Sequence, residues 1–211
     1  VGIGMLGLKL TFFRTAIAFR TALLITGIFS AMPLLSSCCA PLVVSGAATS
    51  AVVAADRRTS GTIVDDKSIE LKAFHALSND KELWKKAHIT AVSYNNVLLL
   101  VGQAPTEALK LEAERAVEGI PKVRTVYNEI TIGQPIPFKQ RGHDTWISTQ
   151  MKARLVSSKG VHPTQVKVIT ENGTLYLMGI LTPAEEEETV RLAKSIKGVD
   201  SIIKMFETAE K

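Results

Sequence analysis

Val92-Ser93-Tyr94-Asn95-Asn96-Val97-Leu98-Leu99-Leu100-Val101-Gly102 is matched later in the chain by Ile169-Thr170-Glu171-Asn172-Gly173-Thr174-Leu175-Tyr176-Leu177-Met178-Gly179. Each stretch reads as a strand, a two-residue turn, a second strand and a glycine. Asn172-Gly173 is a strong hairpin signal, because both residues tolerate the positive φ of a type I′ turn. Asn95-Asn96 is a weaker form of the same turn.

The likeness extends to both sides. Upstream, Ile69, Ala73 and Leu77 correspond to Ile147, Met151 and Leu155. Both sets have i, i+4, i+8 spacing, an apolar stripe on one helix face. Asp66 and Asp144 stand three residues before the leading isoleucines, where an N-cap is expected. Downstream, Thr182-Pro183-Ala184-Glu185 fits a capping box with proline in the first turn. A last strand closes each half, at Val123 to Ile130 and at Val199 to Phe206. The offset between the halves is about 77 residues, too long for a solenoid unit and suited to a duplicated small domain.

The predicted fold class is α+β: two tandem α-β-β-α-β domains, each a three-stranded sheet covered on one face by two helices. A sheet that small needs such a cover to bury its apolar side. The expected boundaries are 65–133 for the first domain, 134–143 for a linker and 144–208 for the second. The linker carries Pro135 and Pro137, and its Phe138 is open to packing against one of the domains.

The N-terminal stretch has another character. Lys9, Arg14 and Arg20 precede an apolar run from Ala22 to Leu35, which ends in Leu35-Ser36-Ser37-Cys38. Basic lead-in, apolar run, small residues and cysteine follow the layout of a secretory signal. The competing reading, a transmembrane helix, is weaker because a span needs about 20 apolar residues and Pro33 interrupts the run. The last four residues read as a lipobox, with Cys38 as the acylated N-terminus after removal of 1–37. A flexible tether is expected over 38–64. Cys39 is adjacent to Cys38 and geometrically unsuited to pair with it. The sequence has no third cysteine, so the folded part is expected to lack disulfides.

The formal charge is +5, and loss of the three signal-peptide cations leaves about +2, too mild to indicate nucleic acid. Position is more informative. From Lys139 to Lys167 the basic residues are Lys139, Arg141, Lys152, Arg154, Lys159 and Lys167, against Asp144 alone.

The duplicated unit, with hairpins ending in Gly102 and Gly179 and the Gly198-Val199 step into the last strand, resembles the BON domain. The first copy departs from it by carrying Lys122 where the second has Gly198. A lipobox followed by two such units resembles the dual-BON outer-membrane lipoproteins of the DolP (YraP) type. That resemblance implies a periplasm-facing lipoprotein of the outer membrane that supports envelope integrity. It also implies binding of anionic phospholipid, such as phosphatidylglycerol or cardiolipin, through the second domain. The residue after Cys38 is not aspartate, the inner-membrane retention signal of enteric bacteria, so the outer membrane is the default.

The residues themselves suggest where lipid would bind. Trp146 lies off the buried stripe and aligns with Gln150, Ala153 and Arg154. An exposed indole near Lys152, Arg154, Arg141 and Lys139 suits a membrane interface. Each cation near an anionic surface contributes about 1 kcal/mol, so three or four give roughly 3–4 kcal/mol. The competing reading packs Trp146 against the linker or the first domain and leaves the lysines solvated. In the first domain Ser68 takes the place of Trp146, which points to a scaffold or docking surface. Trp84, near Lys81, Lys85 and Lys86, is a weaker second candidate for the interface and reads rather as core.

Other candidates are weaker. His75, His88, His143 and His162 match no metal-site spacing. Glu185 to Glu188 fall in the first turns of a helix, where acids offset its dipole. No nucleophile has a base beside it, so neither an enzyme nor a cofactor is expected. An alternative function is an adaptor that holds protein partners of envelope assembly or cell-wall remodelling, using the same helix or the open sheet face.

Overall fold

The structure, a computed structural model, describes residues 56–209. The expected signal peptide, the expected lipobox with Cys38 and the expected tether up to residue 55 lie outside the described residues. The first domain comprises α1 (Ser60–Asn79), α2 (Lys81–Lys86), β1 (His88–Tyr94), β2 (Val97–Ala104), α3 (Glu107–Glu118) and β3 (Thr125–Ile132). The second comprises α4 (Phe138–Ser157), a single 3-10 turn, β4 (Val166–Glu171), β5 (Thr174–Leu181), α5 (Pro183–Lys194) and β6 (Ser201–Thr208). Each sheet has its first two strands antiparallel and its third parallel to the central one.

Both hairpins turn as their sequences indicate. Asn95 and Asn96 have φ of 51° and 63°, and Asn172 and Gly173 have 47° and 74°. The capping box of α5 is complete: the Thr182 Oγ1 accepts from Glu185 N, and the Glu185 carboxylate accepts from Thr182 N at 2.8 Å. Lys122 adopts φ of 74°, close to the 85° of Gly198. The backbone bend is therefore common to both domains, and only the residue type differs.

The two aspartates do not cap helices. Thr59 caps α1, and α4 begins after Pro137 with no side-chain cap. Asp66 and Asp144 lie inside the helices on the buried face, where they clamp the hairpins. Asp66 accepts from Asn95 N at 2.9 Å, Asn96 N at 2.8 Å and Ser93 Oγ at 2.8 Å. Asp144 accepts from Asn172 N and Gly173 N, both at 2.9 Å. Turn amides that no strand can satisfy find a carboxylate instead.

Both helices consequently start earlier than their domain boundaries suggested. α1 takes up residues 60–64 of the expected tether, and α4 takes up 138–143 of the expected linker. Arg57 and Arg58 are also held, Arg57 by Glu185 at 2.7 Å and Arg58 by Asp56 and Asp66 at 2.8 and 2.9 Å.

Each sheet packs one face on its own helices. In the first domain Ile69, Ala73 and Leu77 of α1 meet Leu98 and Leu100 of β2 and Leu109, Ala113 and Val117 of α3. Ile147, Met151, Leu155, Leu175, Leu177 and Leu192 repeat the arrangement in the second. The opposite face was expected to be open, and the structure closes it. The two sheets pack face to face, burying Tyr94, Leu99, Val101, Tyr176 and Met178 together. This explains why Leu98-Leu99-Leu100-Val101 is apolar at every position, since both faces of β2 are covered. Polar groups fix the register at the rim. Tyr94 Oη donates to Gln165 O at 3.0 Å, Gln103 Nε2 to Glu171 at 2.9 Å, and Lys167 pairs with Glu70 at 2.8 Å. The core of this contact leaves no room for a protein partner, while the β3 and β6 side keeps an open cleft lined by Tyr127, Ile203 and Met205.

Candidate membrane-docking surface

With the sheet faces closed at their core, the outward side of α4 becomes the more informative surface. Its inward stripe is Asp144, Ile147, Met151 and Leu155. Trp146 points the other way and is 46% exposed, with Phe138 88% and Val156 70% exposed on the same side. Gly142, Thr145, Thr149 and Ala153 fill the space between them and are all exposed. The hydroxyls of Thr145, Thr149 and Ser157 donate to carbonyls one turn back, at 2.8, 2.8 and 2.9 Å. This back-bonding turns their polarity into the helix. The face is therefore less polar than its composition suggests.

The indole is positioned from the side. His143 stacks on Trp146, with ring centroids 5.7 Å apart and planes 17° from parallel. The His143 ring in turn lies over Gly198, where an added Cβ would stand 2.6 Å from Nε2. The first domain resolves the same corner differently, with Lys122 reaching Asp65 at 2.6 Å. Gly198→Ala adds a Cβ at positive φ and displaces His143, so a loss of about 1–2 kcal/mol is expected. Urea unfolding measures that loss, and the tryptophan emission of the folded variant reports the disturbed stack.

The cations do not all gather around Trp146. Lys139 and Lys152 are exposed on α4 as expected, and Gln150 is half-buried one turn from the indole. Arg154 instead joins the end of α5, donating through Nη1 to Ser195 Oγ at 2.9 Å. Arg141 donates through Nε to Ile136 O at 3.2 Å and lies toward β1 beside His88. Burial and the Arg141 charge together push the His88 imidazole below its ordinary range. Of the four cations, Lys139 and Lys152 stand unpaired among the described residues, while Arg141 and Arg154 keep their charge but are tied to the neutral groups of Ile136 and Ser195.

Phe138 and Val156 were not anticipated. Phe138 stands in the stretch that reads as linker, and only the early start of α4 brings it onto the face of Trp146. Trp84 was expected in the core and is 62% exposed. It lies on the six-residue α2, whose one buried residue is Leu83. Among the described residues no helix is long and apolar enough to cross a membrane, and no group of three or more metal-ligating side chains comes together.

Residues 65–134 and 143–210 each match the BON domain. The outer membrane lipoprotein DolP of Haemophilus influenzae is 38% identical over 168 residues, covering 80% of this chain and 87% of that protein. The 21 kDa hemolysin of Actinobacillus pleuropneumoniae is 40% identical over 151 residues, 72% of this chain and 78% of its own length. The osmotically-inducible protein Y of Escherichia coli is 26% identical and spans 67% of this chain and 72% of itself. A solved structure of CdsD, a type III secretion protein of Chlamydia trachomatis, aligns over 67% of this chain and 92% of its own. Its TM-score of 0.29 and 12% identity are too low to bear on function. The two matched domains and the long alignment with the first relative agree with the duplicated architecture: this chain belongs to the BON-domain family, as a tandem-BON protein of the DolP type.

Proposed function

We propose that this protein is a non-enzymatic outer-membrane lipoprotein, anchored through acylated Cys38 and facing the periplasm. It binds anionic phospholipid through the outward face of α4 and so supports envelope integrity. The observation that carries this reading is the exposed row of Phe138, Trp146 and Val156, flanked by Lys139 and Lys152 on a helix with its hydroxyls turned inward. Aromatic rings at headgroup depth and lysines against phosphate are the interfacial arrangement. The contact is weak alone. It becomes stable because the acyl chain already holds the protein at the membrane, and two weak membrane signals act together.

Trp146→Glu on the unacylated protein tests the proposal. The fold should be retained, and affinity for vesicles rich in phosphatidylglycerol or cardiolipin should fall about tenfold or more, since an interfacial anchor is replaced by a repelled carboxylate. Binding of the parent protein should weaken as salt is raised. Unchanged vesicle binding by the variant sinks the lipid assignment. A salt-insensitive contact with a protein would favour the adaptor reading on the same helix.

A further inference from the structure

A second surface, on the first domain, has the chemistry of a peptide site. The edge strand β1 runs along a cleft of about 600 Å³. Tyr94 pairs with Val97 across the two-residue turn, so Tyr94, Val92, Thr90 and His88 exchange hydrogen bonds with β2. Residues of the other parity direct their N–H and C=O groups away from the sheet. Ser93 N confirms the parity by donating outward to Glu70 at 3.1 Å. The outward groups of Ile89 and Ala91 have no partner among the described residues. A free edge of this kind is a template for another strand.

The cleft beside this edge is apolar on one side and cationic on the other. The Ile89 and Ala91 side chains pack toward the helices. Phe74, Leu77, Leu83 and Trp84 complete that wall. Phe74 and Trp84 are 53% and 62% exposed and meet edge to face, with centroids 6.1 Å apart. On the side of His88 stands Arg141, whose guanidinium is oriented by Ile136 O. Lys85 adds a second cation, and no carboxylate lines the cleft.

We propose that β1 accepts an extended segment of a partner protein as an added strand. The segment pairs with the main chain of Ile89 and Ala91, places alternate apolar side chains against Phe74 and Trp84, and directs intervening acidic side chains toward Arg141. The period of two follows from strand geometry. Main-chain bonds supply affinity, and the two unlike walls supply specificity. This site is separate from the face of Trp146 and does not depend on the lipid reading.

The probe is the fluorescent heptapeptide Glu-Val-Glu-Phe-Glu-Val-Glu, compared with the block sequence Glu-Glu-Val-Phe-Val-Glu-Glu, which has the same composition and charge. Anisotropy is measured on the full-length protein in neutral detergent. The alternating peptide should bind at least tenfold more tightly and slow amide exchange at Ile89 and Ala91. Ala91→Pro removes one outward N–H without touching the β2 ladder, and should weaken binding about tenfold, as should Phe74→Ser. Trp146→Glu should leave peptide binding unchanged. Equal binding of the two peptides, or unchanged exchange at Ile89 and Ala91 in the parent protein, overturns the proposal. Protection of those amides by phosphatidylglycerol vesicles and not by the peptide also overturns it, assigning the cleft to lipid.

Discussion

Replacing Asp66 by alanine should remove about 3–5 kcal/mol of stability. The carboxylate is 1% exposed and serves four donors: two turn amides, the Ser93 hydroxyl and the Arg58 guanidinium at 2.9 Å. Alanine leaves the amides of Asn95 and Asn96 without their acceptor at the closed end of a hairpin held at positive φ. It also leaves Arg58 with Asp56 as its remaining carboxylate, over the Tyr94 ring at 4.0 Å. Removing one partner of a buried charged network costs more than the network contributes net, because the stranded groups keep their desolvation penalty. Asn at the same position retains one acceptor oxygen and should lose less than alanine. Asp144→Ala should be milder, since that carboxylate serves two turn amides and the longer 3.4 Å contact from Gln140. Urea unfolding decides the matter. A loss below about 1 kcal/mol for Asp66→Ala would show that water replaces the carboxylate and that the clamp is incidental.

Both hairpins and the helical stripes were legible because they depend on local rules. Asn172-Gly173 fixes a turn by φ alone, and Ile147, Met151 and Leu155 fix a face by period alone. The aspartates show where such rules end. An acid ahead of an apolar stripe fits an N-cap and a hairpin clamp equally well, and only tertiary structure separates the two roles. The start of α4 was hidden for a related reason. α4 opens on Pro137 and Phe138 with no capping side chain, so no polar residue marked its beginning. The candidate site divides in the same way. That Trp146 faces outward follows from helical period. That Arg154 is held by Ser195 follows from the packing of α4 against the end of α5, which sequence spacing does not show; the Ile136 carbonyl that holds Arg141 is near in sequence but lies in the stretch that reads as linker. The uninterrupted apolar run Leu98-Leu99-Leu100-Val101 did carry the signal for a strand covered on both faces, and its second cover proved to be the other domain.

That cover leads to the second large effect. Met178→Asp should remove about 4 kcal/mol and uncouple the domains. Met178 is 1% exposed among Tyr94, Leu99, Val101 and Tyr176, none of which carries a positive charge to pair with a carboxylate placed in the two-sheet contact. The charge must be desolvated, or the sheets must separate to admit water, and either route forfeits the shared core. Each domain keeps its own helix-covered core, so separation need not unfold either one. The tryptophans make the distinction measurable, because Trp84 reports the first domain and Trp146 the second. In the parent protein both should follow one urea transition, as expected of a cooperative unit. In the variant, single-tryptophan forms should unfold at different midpoints. Coincident transitions with a loss under about 1 kcal/mol would mean that the sheets contribute little to each other's stability. Vesicle binding offers an independent check: α4 presents Trp146 on the side away from this contact, so lipid affinity should survive the substitution while the second domain stays folded.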